Sequence, residues 1–210
     1  MAVDEQPRGA NRADARRNRA AIVRATIETL RRNPEASLPD IAAAAGVGRM
    51  TLYGHFPTRA ELLEAALADA IERGERTLGR LDLVGDPADV LVQLIDTSWM
   101  LVDESRALLA AAQKQLPPAR IRELHEKAET RVRELLTWGQ REGAFRADLP
   151  VGWLVSVTHL VMHGAADEVA AGRLTPDDAS RVIRETLLGA FTGQNRGSEL
   201  KAALVDDWEG

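Results

Sequence analysis

Residues 37–67 read SLPDIAAAAGVGRMTLYGHFPTRAELLEAAL, and this stretch carries the strongest indication of the fold. It contains two short helical segments, 37–45 and 49–55, with only three residues between them. Ser37, followed by an acid three residues later, favours a capped start of the first helix. Gly46 can adopt the positive φ that turns the chain sharply after it. Two short helices joined by such a turn are typical of a helix-turn-helix.

The second helix of this pair has two chemically different faces. Leu52 and Phe56 are apolar and are expected to face the core. The opposite side presents groups that suit DNA, because arginine pairs with guanine edges or phosphates and a tyrosine hydroxyl donates to phosphate. Amides at the start of the next helix, beside Arg59, also favour phosphate. The pattern predicts a recognition helix that enters the major groove.

In combination, these residues resemble the DNA-binding head of the TetR/AcrR family of bacterial transcriptional regulators. The matching positions are Ile41-Ala42, Ala45-Gly46-Val47, Thr51-Leu52-Tyr53, His55-Phe56, Arg59 and Leu62-Leu63. Gly48 stands where serine is common, which weakens the cap of the recognition helix, and Met50 stands where glycine is common. The residues expected to bind DNA are Ser37, Arg49, Met50, Thr51, Tyr53, Gly54, His55 and Arg59.

Charge is unevenly spread along the 210 residues, whose net charge is −5. Residues 1–60 hold ten Lys/Arg and six Asp/Glu, whereas residues 61–210 hold seventeen and twenty-six. A basic head on an acidic body indicates that the head meets a polyanion. The absence of cysteine excludes disulfides and thiol chemistry. Neither a signal peptide nor a long apolar run is seen, so we expect a cytoplasmic protein that does not enter a membrane.

Prolines and glycines divide the chain into stretches rich in Ala, Leu, Arg and Glu, which predict an all-α fold of about nine helices. The first helix is expected over 13–32, after a disordered segment 1–10. Asp103-Glu104-Ser105 is expected to end one helix before a short one that reaches Lys114. We place the helix-turn-helix head at 1–60, the ligand-binding and dimerisation domain at 61–195 and a tail at 196–210.

The resemblance implies a homodimer that binds a palindromic operator, represses transcription and is released by a small-molecule effector. Two-fold symmetry would place the recognition helices about one DNA turn, ~34–36 Å, apart. In this family the last two long helices usually form the dimer interface as a four-helix bundle. The residues expected at that interface are Leu154, Leu160, Val161, Val182, Ile183, Leu187 and Phe191.

Several large, soft side chains in the body are candidates for contacting an apolar or aromatic effector. They are Trp99, Met100, Trp138, Phe145, Trp153 and Met162, and core filling explains each of them equally well. His159, His163 and Asp167 follow one another at four-residue spacing on one helix face. This stripe could bind a ligand or a metal, respond to pH, or be a polar seam, and we count its histidines among the ligand-binding candidates. His125, among charged neighbours, is expected to be solvated.

Motifs of common enzymes are missing: the sequence has no nucleophile elbow, glycine-rich phosphate loop or HExxH. We therefore expect no catalytic residue, cofactor or bound metal. Two alternatives stay open, a small metal hydrolase built on the His159 stripe and an architectural DNA-binding protein. Chelator-sensitive catalysis would favour the first, and binding without sequence preference or ligand response would favour the second.

Overall fold

The structure, a computed structural model, describes residues 8–81 and 84–192, and its regular structure there is entirely helical. None of the helices in these ranges is both long and apolar enough to cross a membrane. The eight helices are α1 (Arg8–Arg32), α2 (Leu38–Ala44), α3 (Arg49–His55), α4 (Arg59–Leu78), α5 (Pro87–Gln113), α6 (Pro118–Arg141), α7 (Val151–Ala170) and α8 (Pro176–Thr192).

The helices form two compact units. The first unit holds the described residues up to Arg73 together with Glu104–Leu124, and the second holds Gly74–Asp103 together with the described residues from His125 onwards. Helices α4, α5 and α6 therefore supply residues to both units. This division differs from the single boundary near residue 60 that the sequence predicts.

Helix α5 explains why there are eight described helices rather than the expected nine. It continues without interruption through Asp103-Glu104-Ser105. These residue types cost a helix only a few tenths of a kcal/mol each, roughly, so they do not end it without a glycine or proline. They coincide instead with the passage from the second unit to the first.

Two further expectations concern the ends of the chain. Helix α1 begins at Arg8, so residues 8–10 are helical rather than disordered. Residues 1–7 and the predicted tail 196–210 lie outside the described part of the chain.

Both chain segments of the first unit contribute to its core. Ile22, Ile41, Leu52 and Leu62 are buried and come from α1, α2, α3 and α4. The far end of α5 and the residues after it complete the same cluster with Leu108, Leu109, Ala112 and Leu116. The helix-turn-helix is therefore held by a core larger than its own three helices.

Side-chain caps start α2, as the sequence predicts from Ser37, and also α4. The Ser37 hydroxyl accepts a hydrogen bond from the Asp40 backbone N–H and donates to its carboxylate at 2.6 Å. The Ser37 hydroxyl and backbone N–H together lower the pKa of Asp40 below its usual value. Thr58 accepts from the Glu61 N–H at 3.1 Å in the same way at the start of α4. These bonds satisfy N–H groups that a helix start would otherwise leave unpaired.

The turn between α2 and α3 depends on Gly46, whose φ is 67°. The Val47 N–H donates back to the Ala42 carbonyl at 3.0 Å and closes the turn. A side chain in this left-handed conformation places Cβ against the following carbonyl oxygen.

We predict that Gly46→Ala lowers the free energy of unfolding by about 1 kcal/mol, because alanine is strained at positive φ. Gly54→Ala is the matched control, since Gly54 lies inside α3 and a Cβ there also meets nothing within 4 Å. The control should stabilise the chain by about 0.5–1 kcal/mol. Urea unfolding at one fixed protein concentration measures both, and equal effects of the two changes would contradict the prediction.

Candidate nucleic-acid interface

Helix α3 is divided sharply into a buried side and an exposed side. Leu52 is 1% exposed, and Phe56, its C-cap residue, is 2% exposed. Met50 is 84% exposed and Tyr53 is 44% exposed. Arg49 and Gly54 are exposed as well, whereas Thr51 and His55 are half-buried. We call Arg49, Met50, Tyr53 and Gly54 the recognition face.

The start of α3 is weakly capped, as the sequence predicts from glycine at position 48. Gly48 is the N-cap residue and offers no side-chain hydrogen bond. The helix has only seven residues, too few for stability in isolation. Packing of Leu52 and Phe56 in the first unit must therefore keep it folded.

Two of the predicted DNA-binding residues carry structural hydrogen bonds. The Ser37 hydroxyl caps α2, and Arg59 Nη1 donates to the Ala36 carbonyl at 2.7 Å. That bond joins the first residue of α4 to the loop before α2. Both residues thus position the helix-turn-helix, and their direct contact with DNA stays a prediction.

The exposed arginines of α1 differ in their partners. Arg17 pairs with Asp14 one turn earlier. Arg16 and Arg24 form no ion pair with the described carboxylates. Arg19 lies over the Phe56 ring, with its Cζ 5.0 Å from the ring centroid. This contact joins residues 37 positions apart in sequence, so no local spacing pattern could have indicated it.

The predicted ligand residues of the second unit occupy different environments. Trp99, Phe145 and Met162 are buried in its core, whereas Met100 and Trp153 are exposed. Trp138 is half-buried and lines a pocket of about 550 Å³. The other lining residues of this pocket are Gly85, Asp86, Pro87, Glu142, Gly143 and Ala144. The structure therefore does not gather the predicted ligand residues around this pocket.

Three histidines meet between α6 and α7. The rings of His159 and His163 have centroids 4.2 Å apart, and His125 meets His159 edge-on at 6.0 Å. His125 is half-buried, so the expectation that it is solvated is wrong. No trio of His, Cys, Asp or Glu side chains in the described part of the chain is arranged to hold a metal ion.

Desolvation is the largest cause of lowered pKa values at two residues of this cluster, His159 and His163. Burial, and after it positive charge on His159 and His125, together lower the pKa of His163 to about 4. Desolvation and His125 also lower the pKa of His159, while Glu129 opposes them. His163 is therefore a neutral imidazole near pH 7.

The predicted dimer interface divides into two groups. Leu154, Ile183, Leu187 and Phe191 are at most 1% exposed within the chain itself. They fill its own core and present no surface to a partner, which corrects their assignment to the interface. Leu160 is 63% exposed, and Val161 and Val182 are half-buried, so these three keep surface for a contact.

Known proteins match part of this chain in sequence and most of it in fold. A family model described as "Bacterial regulatory proteins, tetR family" matches residues 22–66, within the first unit. Over 84 residues the chain is 36% identical to the HTH-type transcriptional repressor LfrR of Mycolicibacterium smegmatis, a match that spans 40% of this chain and 44% of that protein.

Solved structures extend the likeness over most of the chain. The TetR-like transcriptional regulator LfrR from Mycobacterium smegmatis, in complex with proflavine, has a TM-score of 0.67 at 24% identity, with 83% of this chain and 96% of that chain covered. A TetR family transcription regulator from Marinobacter aquaeolei VT8 has a TM-score of 0.62 at 18% identity, with 87% and 98% covered. At these identities the likeness concerns the fold.

We predict that His163 makes the free energy of unfolding fall as the pH decreases from about 6.5 towards 4. Its pKa is lower in the folded chain than in the unfolded chain, so the unfolded chain takes up the proton first. His163→Gln cannot titrate and should show a shallower loss across this window. Urea unfolding over a pH series measures this, with His55→Gln, a change outside the cluster, as control. A wild-type slope in His163→Gln would refute the prediction.

Proposed function

We propose, from the premise that the chain belongs to the TetR family of bacterial regulatory proteins, that it is a cytoplasmic transcriptional repressor. It binds a palindromic operator as a homodimer. A small apolar or aromatic effector releases it from the DNA. The recognition face of α3 carries the proposal. The helix buries Leu52 in the core and leaves Met50 and Tyr53 in solvent, so one side holds it in place and the opposite side is accessible to DNA.

The recognition face has the chemistry that a DNA groove requires. Arg49 can bond guanine with two N–H groups, Met50 can contact a thymine methyl group and the Tyr53 hydroxyl can donate to a phosphate. The excess of basic residues in the first sixty adds sequence-independent affinity, which falls as salt rises.

Surface apolar residues on α7 support the homodimer. Trp153 is 54% exposed and Leu160, seven residues later on the same helix face, is 63% exposed. Large apolar side chains placed together in solvent often mark an interaction surface. A two-fold axis through this face would pair it with itself, as a symmetric dimer requires.

The shared helices support control by an effector. Because α4, α5 and α6 supply residues to both units, a ligand that prefers one packing of the second unit also changes the populations of head conformations. The crystal structure of LfrR is a complex with proflavine, a planar aromatic compound. Trp138, which lines the pocket of about 550 Å³ in the second unit, is an aromatic side chain that such an effector could contact.

Selection of genomic DNA fragments by the purified protein tests the proposal, followed by titration of the selected fragments at fixed salt. Enrichment of a palindromic site supports a dimeric, sequence-specific regulator. Equal affinity for selected and random fragments would favour an architectural protein and contradict the proposal. Proflavine, added to the complex, tests whether an aromatic compound releases the DNA.

We predict that Arg49→Ala weakens binding to the selected site about ten- to a hundredfold more than binding to random DNA, because it removes a base contact. Fluorescence anisotropy at one salt concentration measures both dissociation constants. Tyr53→Phe is the comparison, since loss of a phosphate contact should weaken both DNAs alike. Equal losses in Arg49→Ala would reduce Arg49 to a phosphate contact.

We predict that Leu160→Glu converts the dimer into a monomer, because the symmetric contact would bring two buried carboxylates together. Met100→Glu is the matched control, since Met100 is similarly exposed, at 66%, but lies on α5. Sedimentation velocity across a concentration series reports the state of each variant. A dimer of unchanged stability in Leu160→Glu would exclude this face of α7 as the interface.

A further inference from the structure

Arg19 holds a position that the other arginines of α1 do not. Its guanidinium carbon lies 5.0 Å from the centroid of the Phe56 ring, within the range of a cation–π interaction. Phe56 is the C-cap residue of α3, so the charge of Arg19 is fixed beside the end of the recognition helix. The Arg19 side chain itself remains exposed.

The partners of Arg19 leave its hydrogen-bonding groups available. A cation–π contact uses no N–H donor, and no hydrogen bond or ion pair within the described part of the chain engages the Arg19 guanidinium. No described carboxylate pairs with Arg19, in contrast to Arg17, which is paired with Asp14. Arg16 and Arg24 are also exposed, but no aromatic ring among the described residues orients them.

We propose that Arg19 is a DNA-backbone contact, bonding a phosphate at the edge of the groove, and that the Phe56 ring orients it before DNA binds. This inference rests on the proposed DNA-binding function. A helix of seven residues is about 10 Å long, and the major groove is about 12 Å wide. A cation at the end of α3 is therefore close to a wall of phosphates when α3 occupies the groove.

Orientation by Phe56 reduces the cost of making the contact. A free arginine side chain loses conformational freedom when it binds a phosphate. A cation–π contact with Phe56, which is 2% exposed and therefore itself fixed, restricts Arg19 in advance. Arg19 then contributes to affinity on any DNA sequence, because phosphates carry no base information.

Salt-dependent titration of the full-length protein tests the assignment, with a selected fragment and a random fragment of equal length. Arg19→Ala should weaken binding to both fragments by a similar factor, roughly tenfold. The slope of log affinity against log salt should become shallower by about one unit per protomer, because one phosphate contact is lost. A residue that only supports the fold would leave this slope unchanged.

Three further variants and one control separate charge, orientation and stability. Arg19→Lys should keep the salt slope but lose part of the affinity. Phe56→Leu also changes the core behind α3, so it is made in the wild type and in Arg19→Ala. It should weaken binding more in the wild type, because only there does an arginine lose its ring. Arg19→Met keeps an unbranched stem over the ring without charge, so it repeats the test if Arg19→Ala does not fold. Arg31→Ala, an exposed arginine about 18 Å further along α1, is the matched control and should keep the wild-type slope.

The outcomes distinguish this inference from the proposed function. If the wild-type protein binds DNA and folded Arg19→Ala or Arg19→Met keeps its salt slope, the inference is wrong and the function stands. If Phe56→Leu has the same effect in the wild type and in Arg19→Ala while Arg19→Ala loses affinity, the phosphate contact holds and the orienting role of Phe56 is wrong. If the wild-type protein binds no DNA at any salt concentration, both fail together.

Discussion

Helix α3 depends on the burial of two side chains. Seven residues form two turns, which do not persist in water without tertiary contacts, and the glycine N-cap adds no side-chain hydrogen bond. Leu52 and Phe56 provide those contacts in the core of the first unit. Because side chains have fixed directions on a helix, burying these two also determines that Arg49, Met50 and Tyr53 face solvent. The position of the recognition face thus follows from the core behind it.

The same core includes residues far along the chain. Leu108, Leu109, Ala112 and Leu116 belong to the cluster that buries Leu52. Ion pairs tie the same region together, since Arg120 on α6 holds Glu64 on α4 at 2.7 Å. The stability of the head is therefore not a property of its first sixty residues alone. A change that reaches the ends of α5 and α6 acts on the core that holds α3.

Local signals in the sequence predicted local structure well. Ser37 with Asp40 and Gly46 place the start of α2 and the turn, and the structure has these features at the expected residues. Asp103-Glu104-Ser105 predicts a helix end that the structure does not have, because these residue types lower helix propensity too little to interrupt α5. Periodicity does not report contacts between residues that are distant in sequence. Such contacts determine the unit boundary within α5, the cation–π contact of Arg19 with Phe56 and the contact of His125 with His159.

Apolar periodicity also could not separate the core of α7 and α8 from an interface. Leu154 and Leu160 both fit an apolar helix, yet one is 1% exposed and the other 63%. Apolar residues on two sides of one helix give a similar sequence pattern whether or not both sides are buried within the chain. The ring of Phe191 packs edge-to-face on the ring of Phe145, with the two centroids 6.2 Å apart. Sequence periodicity does not indicate this contact. Gly139 makes room for that packing, since a Cβ there would lie 2.1 Å from the Phe145 ring. A core closed within one chain in this way leaves the exposed face of α7 available to a second copy.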